Sequence, residues 1–277
     1  MLKIDAHQHF WKFNPVHDSW INNEMQVLRN DFLPDDIIAE LQQNGIDGTV
    51  AVQADQSEME TDFLLELAAE YDIIKGVVGW VNLRAENLNE RLQHYKQYSR
   101  LKGFRHILQG ENNRALMLEP DFKQGIGILA KYGFTYDILI LADQLPYANE
   151  LVKAFPHQKF VVDHIAKPQM KNKENDAQWA AGITALAQNQ NVWCKLSGLV
   201  TEGDWRNWKN GDYKFYLDTV ISAFGIERCM YGSDWPVSLL AASYHEVKNI
   251  IDEYSKGFSV HEKALLFGGN AIKFYDL

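Results

Sequence analysis

The sequence predicts an α/β fold: a single (β/α)8 TIM barrel spanning residues 1–277 as one domain, and three observations predict it. Eight short apolar, β-branched runs recur along the chain, and segments of helical periodicity separate them. No Pro/Gly/Ser-rich linker or repeat divides the 277 residues. An open doubly wound sheet would place a glycine-rich phosphate loop after its first strand, where this chain has HQHFWKFNP.

Taken in order, the strands are expected over 4–9, 49–54, 75–83, 101–108, 134–140, 160–165, 192–197 and 229–233. Between them, EMETDFLLELAAEY sets Phe63, Leu64, Leu67 and Ala68 on one helical face. DFKQGIGILAKYG ends on Gly133, which suits the left-handed position after a helix, and YKFYLDTVISAFG ends on Gly225 in the same way. DAQWAAGITALAQNQ reads as a further helix.

Composition narrows the function. With 46% hydrophobic and 23% charged residues, the chain can fill a substantial core. A net charge of −10 argues against a nucleic-acid or anionic-membrane partner, both of which need clustered Lys and Arg. Cys194 and Cys229 lie in apolar runs, so a disulfide framework is not expected, and the chain reads as a cytoplasmic protein with two buried thiols. No signal peptide is visible, and no apolar run approaches the roughly 20 residues of a membrane span.

In such barrels the reactive groups sit where strands end. Those ends carry His7 and His9, Gln53, Arg105 and His106, Asp137, His164, Lys195 and Ser197, and Asp234. Strand alternation sends His7, His9 and Trp11 to one side, and it sends the adjacent Arg105 and His106 to opposite sides. By the same rule Asp163 faces away from His164 and reads as structural. Two imidazoles with a carboxylate from Asp234 would make three ligands for one divalent metal, zinc being the best match, with a position left for water. Trp11, Trp80, Trp205 and Trp235 lie at or just past strand ends, where an indole face can cover a hydroxylated ring.

These residues resemble the amidohydrolase superfamily, whose barrels carry His-x-His on the first strand and a catalytic Asp on the eighth. The motifs IDAHQHFW, DGTVAVQA, GVVGWVNLR, KGFRHILQ, DHIAKP, CKLSGLVTE, GSDWPVSLLAASY and FGGNAIKFY look like its sugar-lactone hydrolases, the L-fucono- and L-rhamnono-lactonases. The resemblance runs from the first strand to the C-terminus. It implies hydrolysis of a neutral deoxy-sugar aldonolactone, a small-molecule partner, in sugar catabolism. It implies Asp234 as general base, with Arg105, His106 and His164 as further catalytic groups polarising the carbonyl or holding water. Trp11, Gln53, Trp80, Asp137, Lys195 and Trp235 are the expected substrate contacts.

The chain departs from the two-metal pattern. Lys102 stands at the start of its strand rather than the end, and GFTYDILIL has no histidine. One metal held by His7, His9 and Asp234 is the expectation, alongside a metal-free alternative in which the imidazoles hydrogen-bond directly. The few arginines at the rim favour a neutral lactone over a polyanion. A homo-oligomer is compatible with the sequence. A metal-dependent decarboxylase or lactone isomerase on the same scaffold is the competing reading.

Overall fold

The computed structural model describes residues 1–173 and 175–277. Eight parallel strands pair in chain order: β1 Ile4–Gln8, β2 Gly48–Val52, β3 Ile74–Gly79, β4 Leu101–Ile107, β5 Thr135–Leu139, β6 Phe160–Val162, β7 Val192–Leu196 and β8 Cys229–Tyr231. Backbone bonds just beyond β1 and β8 close the ring. Asp234 N–H donates to the His7 carbonyl at 2.8 Å, and His9 N–H donates to the Trp235 carbonyl at 2.7 Å. That close approach requires glycine at 232, because a Cβ there would lie 2.6 Å from His7 Cβ.

Around the ring lie α1 Pro34–Gln43, α2 Glu58–Glu70, α3 Leu88–Tyr95, α4 Pro120–Tyr132, α5 Leu145–Ala154, α6 Asp176–Ala187, the single turn α7 Leu199–Glu202, α8 Lys214–Phe224 and α9 Tyr244–Tyr254. Ser57 caps α2 by accepting from Glu60 N–H, and this helix buries Leu64, Leu65 and Ala68 while Phe63 and Leu67 are only partly covered. Gly133 and Gly225 follow α4 and α8 at φ 73° and 72°, in the conformation that glycine adopts without strain. No helix among the described residues is long and apolar enough to cross a membrane.

Two apolar cores result. The larger lies between strands and helices. The smaller fills the lower half of the barrel with Val50, Val52, Val78, Val161, Trp193 and Met230, sealed from below by Phe274 and Tyr275 of the C-terminal helices α10 Val260–Ala264 and α11 Asn270–Tyr275. Each of the fully buried aliphatic side chains among them contributes about 1.5–3 kcal/mol relative to exposure. The upper half of the barrel is polar.

Each strand stops earlier than the sequence suggests, and four do so by two residues or more. β2 ends at Val52, β3 at Gly79, β6 at Val162 and β8 at Tyr231. After β6 the backbone turns left-handed for four consecutive residues, at φ 52°, 49°, 60° and 46° for His164, Ile165, Ala166 and Lys167. Beyond β8, Asp234 is left-handed as well, at φ 60°. Such conformations cost L-residues about 1–2 kcal/mol each, so they persist only where surrounding contacts fix them.

Candidate active site

β1 carries a bulge. Asp5 faces Thr49 and Gln8 faces Ala51, so β1 takes three steps where β2 takes two. Ile4 and Ala6 therefore point into the barrel, and after the extra residue so do His7 and His9. Asp5, on the outer side, ties the seam together. Its carboxylate accepts from His7 N–H at 3.1 Å, Ser233 N–H at 2.9 Å and Tyr244 O–H at 3.0 Å.

A cavity of about 310 Å3 opens above this ring of residues. Its wall includes His9, Trp11, Arg105, His164 and Asp234 from the expected set, together with Trp20, Ile107, Leu139, Lys167 and Val237. Asp234 Oδ1 stands 3.4 Å from His9 Nε2 and 3.8 Å from both His7 Nε2 and His164 Nε2. Burial pushes the Asp234 carboxyl up, but His164, His9 and Lys167 outweigh it and leave it below the ordinary carboxylate range. Burial holds the imidazoles of His7 and His164 well below their usual value, with Lys195 adding to the effect on His7. Both are neutral at pH 7 and carry free lone pairs or single donors.

Orientation comes from the groups behind them. His9 Nδ1–H donates to the Val52 carbonyl at 2.7 Å, which leaves its Nε2 lone pair facing His7 and Asp234. His164 Nδ1 bonds Ser197 Oγ at 2.9 Å, so its Nε2 faces the cavity. Gly198 makes room for that ring. It sits at φ 67°, and a Cβ there would lie 2.6 Å from His164 Nδ1. Trp179 Nε1–H donates to the Ile165 carbonyl at 2.8 Å and pins the left-handed turn.

Beneath the cavity floor lies a second polar tier with little or no solvent contact, and Arg105 reaches from it into the cavity wall. Lys195 donates to Asp137 at 2.5 Å, stands 3.1 Å from His7 Nδ1 and pairs with Asp163 at 3.0 Å. Arg105 donates to Asp163 at 3.0 Å, to Gln53 Oε1 at 3.2 Å and to the Gln53 carbonyl. Burial raises the Asp137 carboxyl to about 6. Asp163 is also raised by burial, yet Lys195, His7 and Arg105 prevail and hold it well below the usual range. Tyr275 O–H donates to Asp137 at 2.7 Å, linking this tier to the barrel's apolar plug.

Several expectations change accordingly. Asp137, Lys195 and Gln53 do not line the cavity, because their polar atoms face one another and Arg105 inside the barrel. His106 points out of the barrel, as strand alternation requires once Arg105 points in; it meets Glu111 Oε1 at 2.8 Å and Trp80 Nε1 at 3.4 Å. Trp80 is thereby placed outside the cavity wall, and Trp235 packs edge-on against Phe10 and Phe32 in the core. Trp205, bonded to the Thr201 carbonyl, is likewise elsewhere. Asp163 faces inward beside His164, contrary to alternation, because β6 ends at Val162 and the left-handed turn begins one residue after Asp163. Trp20 and Lys167 were not singled out by sequence reasoning. Trp20 sits in a long loop, whereas Lys167 belongs to DHIAKP and its motif was a usable signal.

The donor atoms fit a divalent cation. His7 Nε2 and His9 Nε2 are 3.2 Å apart, and Asp234 Oδ1 completes a triangle with sides of 3.4 and 3.8 Å. A tetrahedral ion with ligands at 2.0–2.2 Å needs edges of about 3.3–3.6 Å. A second group, His7, Asp163 and His164, is also close enough, but the cations of Lys195 and Arg105 lie 3.0 Å from Asp163 and oppose a third positive charge.

A barrel with His-x-His on its first strand and an aspartate after its eighth defines a metal-site hydrolase scaffold, and residues 4–277 match the amidohydrolase family model. The chain belongs to that family. It is 40% identical to an L-fucono-1,5-lactonase from Burkholderia multivorans over 100% of this chain and 96% of that enzyme. It is 30% identical to an L-fucono-1,5-lactonase from Burkholderia ambifaria, with the same coverage. A crystal structure of an amidohydrolase from B. multivorans with bound zinc superposes with a TM-score of 0.96 at 40% identity, covering 100% of each chain.

Proposed function

We propose that this enzyme hydrolyses a neutral deoxy-sugar aldonolactone, L-fucono-1,5-lactone foremost, to the open sugar acid, with residues 1–277 acting as one domain. The observation that carries the reading is Asp234, a carboxylate in the cavity wall flanked by the Nε2 atoms of His9 and His164. The 40% identity to a lactonase over the whole chain supports the substrate class.

Asp234 takes a proton from water as the water oxygen bonds to the lactone carbonyl carbon, and the C=O electron pair moves onto oxygen. That pair then returns, the bond from carbon to ring oxygen breaks, and the ring oxygen takes the proton back from Asp234. The product acid then loses its proton to water in the open cavity and stands in the site as a carboxylate. His9 and His164 hold the water and carbonyl in line, since each has its Nδ1 committed elsewhere. Arg105 acts as a positioning residue, its N–H groups fixing Gln53 and Asp163 beneath the floor. His7, His9 and Asp234 would hold one zinc ion, which when bound acidifies water and polarises the carbonyl. Trp11 and Trp20, 6.1 Å apart and perpendicular, give an apolar wall for the C–H face and methyl group of a deoxy sugar.

The unpaired buried thiols Cys194 and Cys229 support a reducing, cytoplasmic setting. The test is proton release from a panel of aldonolactones followed with a pH indicator. L-Fucono-1,5-lactone is expected to turn over, and a panel opened no faster than in buffer would refute the reading. Carbon dioxide evolved from an aromatic acid would instead favour the decarboxylase alternative.

A further inference from the structure

Two cations reach the cavity wall, and their donors are in opposite states. Arg105 is 3% exposed, and its terminal nitrogens are engaged by Asp163 and Gln53. Lys167 carries three N–H donors, and among the described residues its ammonium has one charged partner, Glu202 at 3.1 Å. Its side chain is 18% exposed and lines the same wall as His164 and Asp234. Glu202 approaches from the other side, where Lys167 also lines a neighbouring cavity of about 340 Å3 together with Leu141, Gln169 and Trp179.

The backbone reinforces this placement. Lys167 is the last of the four left-handed residues after β6, and its N–H donates to the His164 carbonyl at 2.8 Å. Ile165 and Ala166 within the turn are fully buried, so the turn is a rigid mount rather than a loose loop. Non-glycine residues held left-handed in this way cluster where a side chain must be aimed.

We propose that Lys167 is the ligand-facing cation of this site: its ammonium binds the negative charge that lactone opening creates, first on the tetrahedral oxyanion and then on the carboxylate of the product. The assignment rests on the lactonase reading for the identity of the anion. The lactone is neutral and gains little from a nearby cation, whereas the two later species are anionic, so the interaction strengthens along the reaction. Glu202 competes for the same ammonium and keeps the product from binding too tightly.

The test uses the full chain, with L-fuconate as the probe. Binding is read by tryptophan fluorescence, since Trp11 and Trp20 line the cavity. Lys167→Met is expected to weaken L-fuconate by about tenfold or more and to lower kcat similarly, with KM for the neutral lactone moving less than about threefold. Lys167→Arg should stay within about threefold of wild type, because the charge is kept. Glu202→Gln should tighten L-fuconate by about threefold or more, since the competing carboxylate is gone. A folded Lys167→Met protein that binds L-fuconate like wild type would overturn the proposal. If Lys167→Met does not fold, Glu202→Gln decides, and unchanged or weaker binding there would overturn it. Lys167-dependent binding of L-fuconate without any lactone turnover would sustain the carboxylate-binding role, overturn the oxyanion role and sink the lactonase reading.

Discussion

Asp234 and Asp163 are both buried carboxylates just past the ends of barrel strands, and their surroundings could hardly differ more. Asp234 faces a cavity and has imidazole nitrogens at 3.4–3.8 Å around it. Asp163 lies one tier lower, within 3.0 Å of both an ammonium and a guanidinium. The upper tier of His9, His164 and Asp234 keeps lone pairs and oxygens available to a ligand. The lower tier of Lys195, Asp137, Asp163 and Arg105 turns its charges on one another. What separates the carboxylate proposed to react from the bracing one is depth along the barrel axis and the number of committed neighbours, not residue type.

Lys195→Met would break the lower tier. It leaves Asp137 and Asp163 without their shared cation, and removing one member of a buried ion pair costs about 3–5 kcal/mol. Urea denaturation should show a lower midpoint, with part of the loss recovered when Asp137→Asn is added. An unchanged midpoint would mean that this tier does not brace the barrel.

Gly198→Ala probes the joint between the tiers. The left-handed φ of 67° costs alanine about 1–2 kcal/mol, and the new Cβ collides with His164 Nδ1. Displacing His164 by a fraction of a bond length should cut kcat by about 100-fold while the protein still folds.

A smaller effect should come from zinc. Equilibrium dialysis should find one ion per chain in the wild type. His9→Ala should lose more affinity than the roughly 10–100-fold typical of an outer-shell change, whereas Asp137→Asn should stay below that range. Equal losses in both variants would contradict the separation of tiers.

The smallest effect lies at the rim. Burial, with Asp55 and Asp18 adding to it, raises the Glu60 carboxyl from near 4.5 to about 7. Between those values the folded chain binds the proton more tightly than the unfolded chain, so this stabilisation is full below 4.5 and is lost as pH rises through 7. Glu60→Gln should flatten that part of the profile of Tm against pH.

Much of the upper tier was legible in the sequence. Apolar runs placed all eight strands, and His-x-His with an aspartate in GSDWP marked the mouth. Depth was not legible, because strand periodicity gives the side a residue faces and not its height. Lys195 and Asp137 therefore looked like rim residues although Tyr275 and the apolar plug lie directly below them. Asp163 was assigned to the wrong side because alternation assumes a regular strand, and no local sequence rule announces four left-handed non-glycine residues. Trp20 reaches the cavity through tertiary packing against Trp11, which spacing cannot reveal.

If chemistry resides in the upper tier and the lower one only holds it in place, Asp234 carries the rate and little of the stability. Asp234→Asn tests this most directly, with kcat/KM for L-fucono-1,5-lactone and the urea midpoint taken on the same preparation. A loss of about 10³-fold or more in kcat/KM is expected, with a midpoint close to that of the wild type. Turnover within tenfold of wild type, or a loss that merely follows unfolding, would contradict it.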